Sequence, residues 1–286
     1  MNQEIINLFD EYTHKPLKRE LFLKKLVQLV GSTAAAMAIL PILEGSYAAA
    51  AIIKEEDPDL LIENITFEGP NGPMMGYLVK PKIQDKPKGA VMVIHENRGL
   101  TPHIQDVTRR IAKAGFVALG IDALSPFGGT PANEDEGRTL IGKLDAAQNL
   151  ANLKSGIAYL RKLAGTNGKT ATVGFCWGGA MVNALAVADP DLNGGVAYYG
   201  RQPDAEGVKN IRAKLLLHYA GLDERVNAGM QAYEEALKNA KIDYEQYVYE
   251  GAQHAFNNDS SPARYQAETA QLAWGRTLAF FEKVLG

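Results

Sequence analysis

Four side chains in this sequence could perform acyl transfer together: Cys176, Asp223, His254 and Glu96. Cys176 is the only cysteine and sits in Gly174-Phe175-Cys176-Trp177-Gly178-Gly179. A thiolate is a strong nucleophile when an imidazole takes its proton and a carboxylate orients the imidazole. Asp223 lies in Gly221-Leu222-Asp223-Glu224-Arg225, and His254 in Gly251-Ala252-Gln253-His254-Ala255-Phe256. Glu96 follows the apolar run Gly89-Ala90-Val91-Met92-Val93-Ile94-His95. A carboxylate there is costly without a partner, and its position places it close to the thiol. Alone, each residue has a bland reading. A lone cysteine is usually a small buried hydrophobe, and a loop aspartate is usually a turn former. The three in this order, behind a glycine-rich turn, favour chemistry.

The turn needs elements to hold it. Residues 170–173 read as a buried strand and residues 180–187 as a helix, so the G-x-C-x-G segment joins strand to helix. Its glycines sit where the chain turns too sharply for a Cβ. This is the nucleophile elbow of α/β-hydrolases, which also place nucleophile, acid and histidine in this chain order. Residues 62–67 and 75–79 pattern as a hairpin around Asn71-Gly72-Pro73. Further strands are expected at 89–95, 116–121, 171–175, 195–199, 215–219 and 244–249. Helices are expected at 102–114, at 134–163 as a pair, at 227–239 and at 262–284. Continuous apolar strands imply burial on both faces, as in a parallel sheet. The pattern therefore predicts an α/β-hydrolase fold: an open, mostly parallel sheet with helices on both faces and N-terminal hairpin strands. Each of the four side chains then falls at a strand end, where such sheets carry their sites. The backbone N–H groups of Trp177 and Asn97 are the expected oxyanion-hole donors.

The first 51 residues differ from the rest. Lys15, Lys18, Arg19, Lys24 and Lys25 precede an uncharged stretch at 26–43, followed by Ser46-Tyr47-Ala48-Ala49-Ala50. Basic region, apolar region and small-residue site are the parts of an export signal. Arg19-Glu20-Leu21-Phe22-Leu23-Lys24 resembles a twin-arginine signal with Glu20 in place of the second arginine. Two readings stay open: a signal for export to the periplasm, or an uncleaved amphipathic helix that packs on the domain or on a partner, the protein then being cytoplasmic. The apolar part is too short for a comfortable membrane span. Residues 52–59 read as a linker and 60–286 as the hydrolase-like domain. A net charge of −3 gives no electrostatic case for nucleic acid. His95, His218, His254 and Asp223 lack the spacing of a metal site, so neither metal nor cofactor is expected.

Glu96, Gly174–Gly179, Gly221-Leu222-Asp223 and 251–256 resemble the dienelactone hydrolase (carboxymethylenebutenolidase) family, over roughly residue 60 to the C-terminus. The resemblance implies a Cys-His-Asp hydrolase acting on small esters or lactones, with Glu96 holding the resting thiol quiet until substrate arrives. It also implies two arginines on a substrate carboxylate. Arg138 matches one, and the other position is Asn258. Arg201 and Arg264 are further candidates for substrate binding, and Tyr199 and Phe256 for lining the pocket. A general carboxylesterase or thioesterase is the nearest alternative. A redox-active thiol protein or a non-catalytic binding protein on the same fold are alternatives of another class.

Overall fold

The computed structural model describes residues 2–15, 17–44, 51–84 and 86–286. Its centre is an eight-stranded sheet. The strands are β1 Leu60–Gly69, β2 Gly72–Pro81, β3 Ala90–Ile94, β4 Val117–Asp122, β5 Thr170–Phe175, β6 Gly194–Tyr198, β7 Lys214–Ala220 and β8 Tyr244–Tyr249. Their order is β1-β2-β4-β3-β5-β6-β7-β8. The hairpin of β1 and β2 is antiparallel, with Leu60 opposite Pro81 and Gly69 opposite Gly72. β2 also runs antiparallel to β4, and the remaining pairs are parallel.

β3 to β6 are buried along their whole length because both faces are covered. Val91 and Val93 face one core, with Ile104, Val107 and Ile111 of one helix and Phe280 and Phe281 of another. Ala90, Met92 and Ile94 face the other, with Leu153, Ile157 and Leu160. Alternate residues of a strand point to opposite faces, so one five-residue strand serves two cores. The covering helices are Pro102–Lys113, Glu134–Ile141, Ala146–Lys162, Trp177–Ala188, Glu224–Asn227, Met230–Asn239 and Ala267–Leu285. Counted after the three N-terminal helices below, these are α4 to α10.

Two helices differ from their expected spans. The one placed at 227–239 breaks into α8 and α9 around Gly229. The last helix starts at Ala267 rather than 262, because residues 256–265 form successive turns. Ser260 N–H donates to Asn258 Oδ1 at 3.0 Å, and Tyr265 N–H to Ser261 O at 3.0 Å. Side chains that bond nearby backbone in this way compete with a helix start.

Ahead of the sheet lie α1 Gln3–His14, α2 Arg19–Val30 and α3 Thr33–Glu44. They share a small core of their own, with Phe9, Tyr12, Phe22, Leu26, Leu40 and Leu43 buried. Tyr12 stacks on Phe22 with ring centroids 4.3 Å apart. α2 ends at Gly31 in the left-handed region, φ 83°, which a Cβ would disfavour. There the chain bends by 114° into α3. No single helix among the described residues is long and apolar enough to cross a membrane. The small-residue segment 46–50 lies outside the described residues. Just before β1, the N–H groups of Ile52 and Ile53 donate to the Asp106 carboxylate at 3.1 and 2.8 Å, which ties the start of the sheet domain to α4.

Candidate active site

The elbow is built by close backbone packing. Cys176 stands between β5 and α7 at φ 57°, ψ −113°. A Cβ on Gly178 would meet the Ile94 and His95 carbonyl oxygens at 2.3 and 2.5 Å. Only glycine lets the elbow lie this close to the end of β3. A non-glycine residue at positive φ is strained, and such strain concentrates at functional sites. It throws the thiol outward over the sheet. Trp177 opens α7, so its N–H lacks a partner within the helix. Asn97, in the loop after β3, lines the same cavity.

Asp223 and His254 meet above the C-terminal ends of β7 and β8. Asp223 caps α8, accepting the Val226 N–H at 3.2 Å through Oδ1, and its Oδ2 lies 2.5 Å from His254 Nδ1. Both side chains are buried. Because the carboxylate only accepts, Nδ1 carries the proton and Nε2 faces the cavity. Burial opposes charge on the His254 ring. The charge of Cys176, with the hydrogen bond and charge of Asp223, more than offsets it, and the imidazole is pushed up to about 10. Burial likewise opposes charge on Asp223, but His254 and Arg225 hold its carboxyl below the usual range.

The sign of the pH effect follows. A value raised in the folded state stabilises the protein fully below the ordinary value of 6.5, and the contribution is lost as pH rises through about 10. Urea unfolding is therefore expected to show a stability loss across that window. Cys176→Ala should reduce the loss, since it removes the largest of the raising causes. Equal losses in the two proteins would contradict the pairing.

The thiol itself is covered by the N-terminal segment. His14, the last residue of α1, places Nε2 3.1 Å from Cys176 Sγ. Its ring stands edge-on to that of His254, with centroids 4.5 Å apart. Its Nδ1–H donates to the Asp10 carbonyl at 2.9 Å. Burial and the neighbouring charges of His254, Arg225 and Arg264 push His14 well below the usual imidazole range, so the ring is neutral. Thr13 and His14 divide the space above the elbow into two chambers, each lined by Cys176 and His254.

Glu96 lines the narrower chamber, and its Oε2 accepts from Asn258 Nδ2 at 2.8 Å. Arg264 lines the same chamber and pairs with Asp10 of α1 at 2.8 Å. Arg138 lines the wider chamber, where Nη1 donates to the Tyr12 carbonyl and the guanidinium lies 4.1 Å from the Tyr12 ring centroid. Arg201 and Tyr199 also line it. Tyr199 is buried, its hydroxyl has no hydrogen-bond partner among the described residues, and its ring lies 4.9 Å from that of His254. Phe256 is buried behind it, at 5.4 Å. His95 and His218 serve the interior. His95 bonds the Glu96 carbonyl and the Ala123 N–H, and His218 bonds Tyr249 and Thr277.

A mostly parallel sheet with these groups at its strand ends is the architecture of an α/β-hydrolase. The chain matches the dienelactone hydrolase family over residues 74–285 and belongs to that family of carboxylic ester hydrolases. It is 32% identical over 219 residues to a Yersinia pestis protein provisionally named as a carboxymethylenebutenolidase, covering 72% of this chain and 82% of the relative. It is 47% identical over 112 residues to a hydrolase fragment of Escherichia coli, covering 38% of this chain and 96% of the fragment. The crystal structure of a Klebsiella pneumoniae protein, provisionally described as a dienelactone hydrolase, superposes with a TM-score of 0.71 at 28% identity. That match covers 78% of this chain and 98% of the other.

Sequence reasoning missed His14 as a residue of the site. The sequence leaves the N-terminal segment as an export signal or a helix packed on the domain, and nothing local to residue 14 points to residue 176.

Proposed function

We propose that this chain opens small esters or lactones through an acyl-Cys176 intermediate, with His254 as base and then acid, and Asp223 orienting it. The observation that carries the reading is the buried Asp223–His254 pair beneath a positive-φ cysteine elbow. The thiolate attacks the carbonyl carbon, and the N–H groups of Trp177 and Asn97 receive the oxyanion. His254 Nε2 passes its proton to the leaving alkoxide, and water then cleaves the thioester with His254 as base. Glu96 lines the chamber beside the thiol but its carboxylate is taken by Asn258, so in the closed chain it is His14, not Glu96, that sits on the resting sulfur. His14 must leave Cys176 before any of this begins.

Arg264 supports a carboxylate-bearing, dienelactone-type substrate rather than the broader carboxylesterase or thioesterase substrates. In the closed chain its guanidinium already holds a carboxylate, that of Asp10, beside the thiol. A panel of lactones and esters with and without a carboxylate tests this. We expect higher kcat/KM for the acids, and Arg264→Ala should raise KM for them about 10–100-fold, the cost of a hydrogen-bonded charge contact. Equal turnover of acids and neutral esters would move the assignment to a general esterase. Peroxide consumption without ester turnover would move it to a redox thiol. Export also belongs to this reading: cleavage near residues 46–50 would remove His14 and open the site, and N-terminal sequencing of the native protein tests it.

A further inference from the structure

We propose that His14, Cys176 and His254 form a binding site for a thiophilic divalent cation such as zinc, which latches α1 over the elbow. The three donor atoms, one nitrogen of each imidazole and Sγ, lie within 4.8 Å of one another. Zinc bonds of about 2.3 Å to sulfur and about 2.0–2.1 Å to nitrogen require donors roughly 3.3–3.6 Å apart around a tetrahedral ion. The His14–Cys176 separation of 3.1 Å is already within about half an ångström of that.

The second observation is how the imidazoles are held. His254 donates Nδ1–H to the Asp223 carboxylate, and His14 donates Nδ1–H to the Asp10 carbonyl. Each Nδ1 proton is thus committed to an oxygen behind the ring, which leaves each Nε2 free for a ligand bond, that of His14 3.1 Å from the sulfur. Carboxylate and carbonyl acceptors behind a histidine are the supports that orient metal-binding imidazoles. The protein's own protons cannot satisfy the trio. If the thiol proton goes to His14, the buried His254 Nε2 has no hydrogen-bond partner among the described residues. If His254 takes the proton, the His14 lone pair faces a thiolate. A cation satisfies all three groups at once.

Two nitrogens and one sulfur suit zinc rather than magnesium or calcium, which prefer oxygen. Binding forms one Zn–S and two Zn–N bonds and releases the proton shared by thiol and imidazole to water. A fourth position stays open to water. His14 comes from α1 and the other two residues from the sheet domain, so the ion joins the N-terminal helices to the sheet domain and occupies the sulfur that would attack substrate.

The test uses the full, metal-free chain and zinc itself, in competition with a chromophoric chelator. One zinc per chain is expected, and His14→Ala should weaken uptake more than about 100-fold, beyond the loss of an outer support. Cobalt in place of zinc should give a thiolate charge-transfer band that disappears in Cys176→Ser. Circular dichroism of each variant checks the fold. No uptake by the full chain, or undiminished uptake by His14→Ala, overturns the site. Neither readout depends on ester turnover, so a chain that hydrolyses esters without taking up zinc refutes this site alone.

Discussion

Cys176→Ala is expected to lose ester turnover by at least about 10⁴-fold in kcat while keeping its fold, because no other group replaces a covalent nucleophile. The Asp223–His254 pair stays assembled in the variant, since its 2.5 Å contact does not involve the thiol. A small residual rate should remain from the oxyanion donors alone. Mass spectrometry after mixing with a slowly deacylating ester should find one acyl group on the parent chain and none on the variant. A variant that turns over normally would remove Cys176 from the chemistry and leave only the fold of the family.

The second large effect concerns the N-terminal helices. A chain starting at Ile52 is expected to turn over esters roughly 10–100-fold faster than the full chain. That is the factor regained when a site closed about 90–99% of the time becomes always open. The fold should tolerate the deletion. The N-terminal helices have an apolar core of their own, and the deletion removes it together with the ties of Asp10 and Tyr12 to Arg264, Asp135 and Arg138, while Ile52 and Ile53 keep their bonds to Asp106. Iodoacetamide should also label Cys176 faster in the shortened chain, because His14 no longer covers the sulfur. Equal turnover and equal labelling in the two chains would mean that α1 leaves the site freely in solution.

The sheet was legible because its signal is local. Ala90–Ile94 is apolar and Thr170–Phe175 uncharged over their whole length, and both are buried throughout, as a strand covered on both faces requires. The elbow was legible for the same reason: its glycines mark a tight turn whatever surrounds them. The positions of Cys176, Asp223 and His254 followed, since each ends or follows a strand. The contacts made by α1 were not legible. His14 reaches a residue 162 positions away, and Arg264 reaches back 254 positions to Asp10. Neither contact leaves a periodicity or a motif. Asn258 shows the limit in another way. Its type departs from the arginine that the family resemblance implies, and only the folded chain shows its amide on Glu96.

The backbone at Cys176 has a consequence for how this sequence is kept. With φ at 57° and ψ at −113°, the residue occupies a region where a side chain costs of order 1–3 kcal/mol. Glycine would relieve that cost, so Cys176→Gly should raise the melting temperature while ending turnover. Mutation pressure toward stability alone would therefore erode this position. A thiol at a backbone position that glycine would suit better is the mark of a residue kept for its side chain rather than for stability. Relatives that have drifted to glycine there would be the ones released from that requirement.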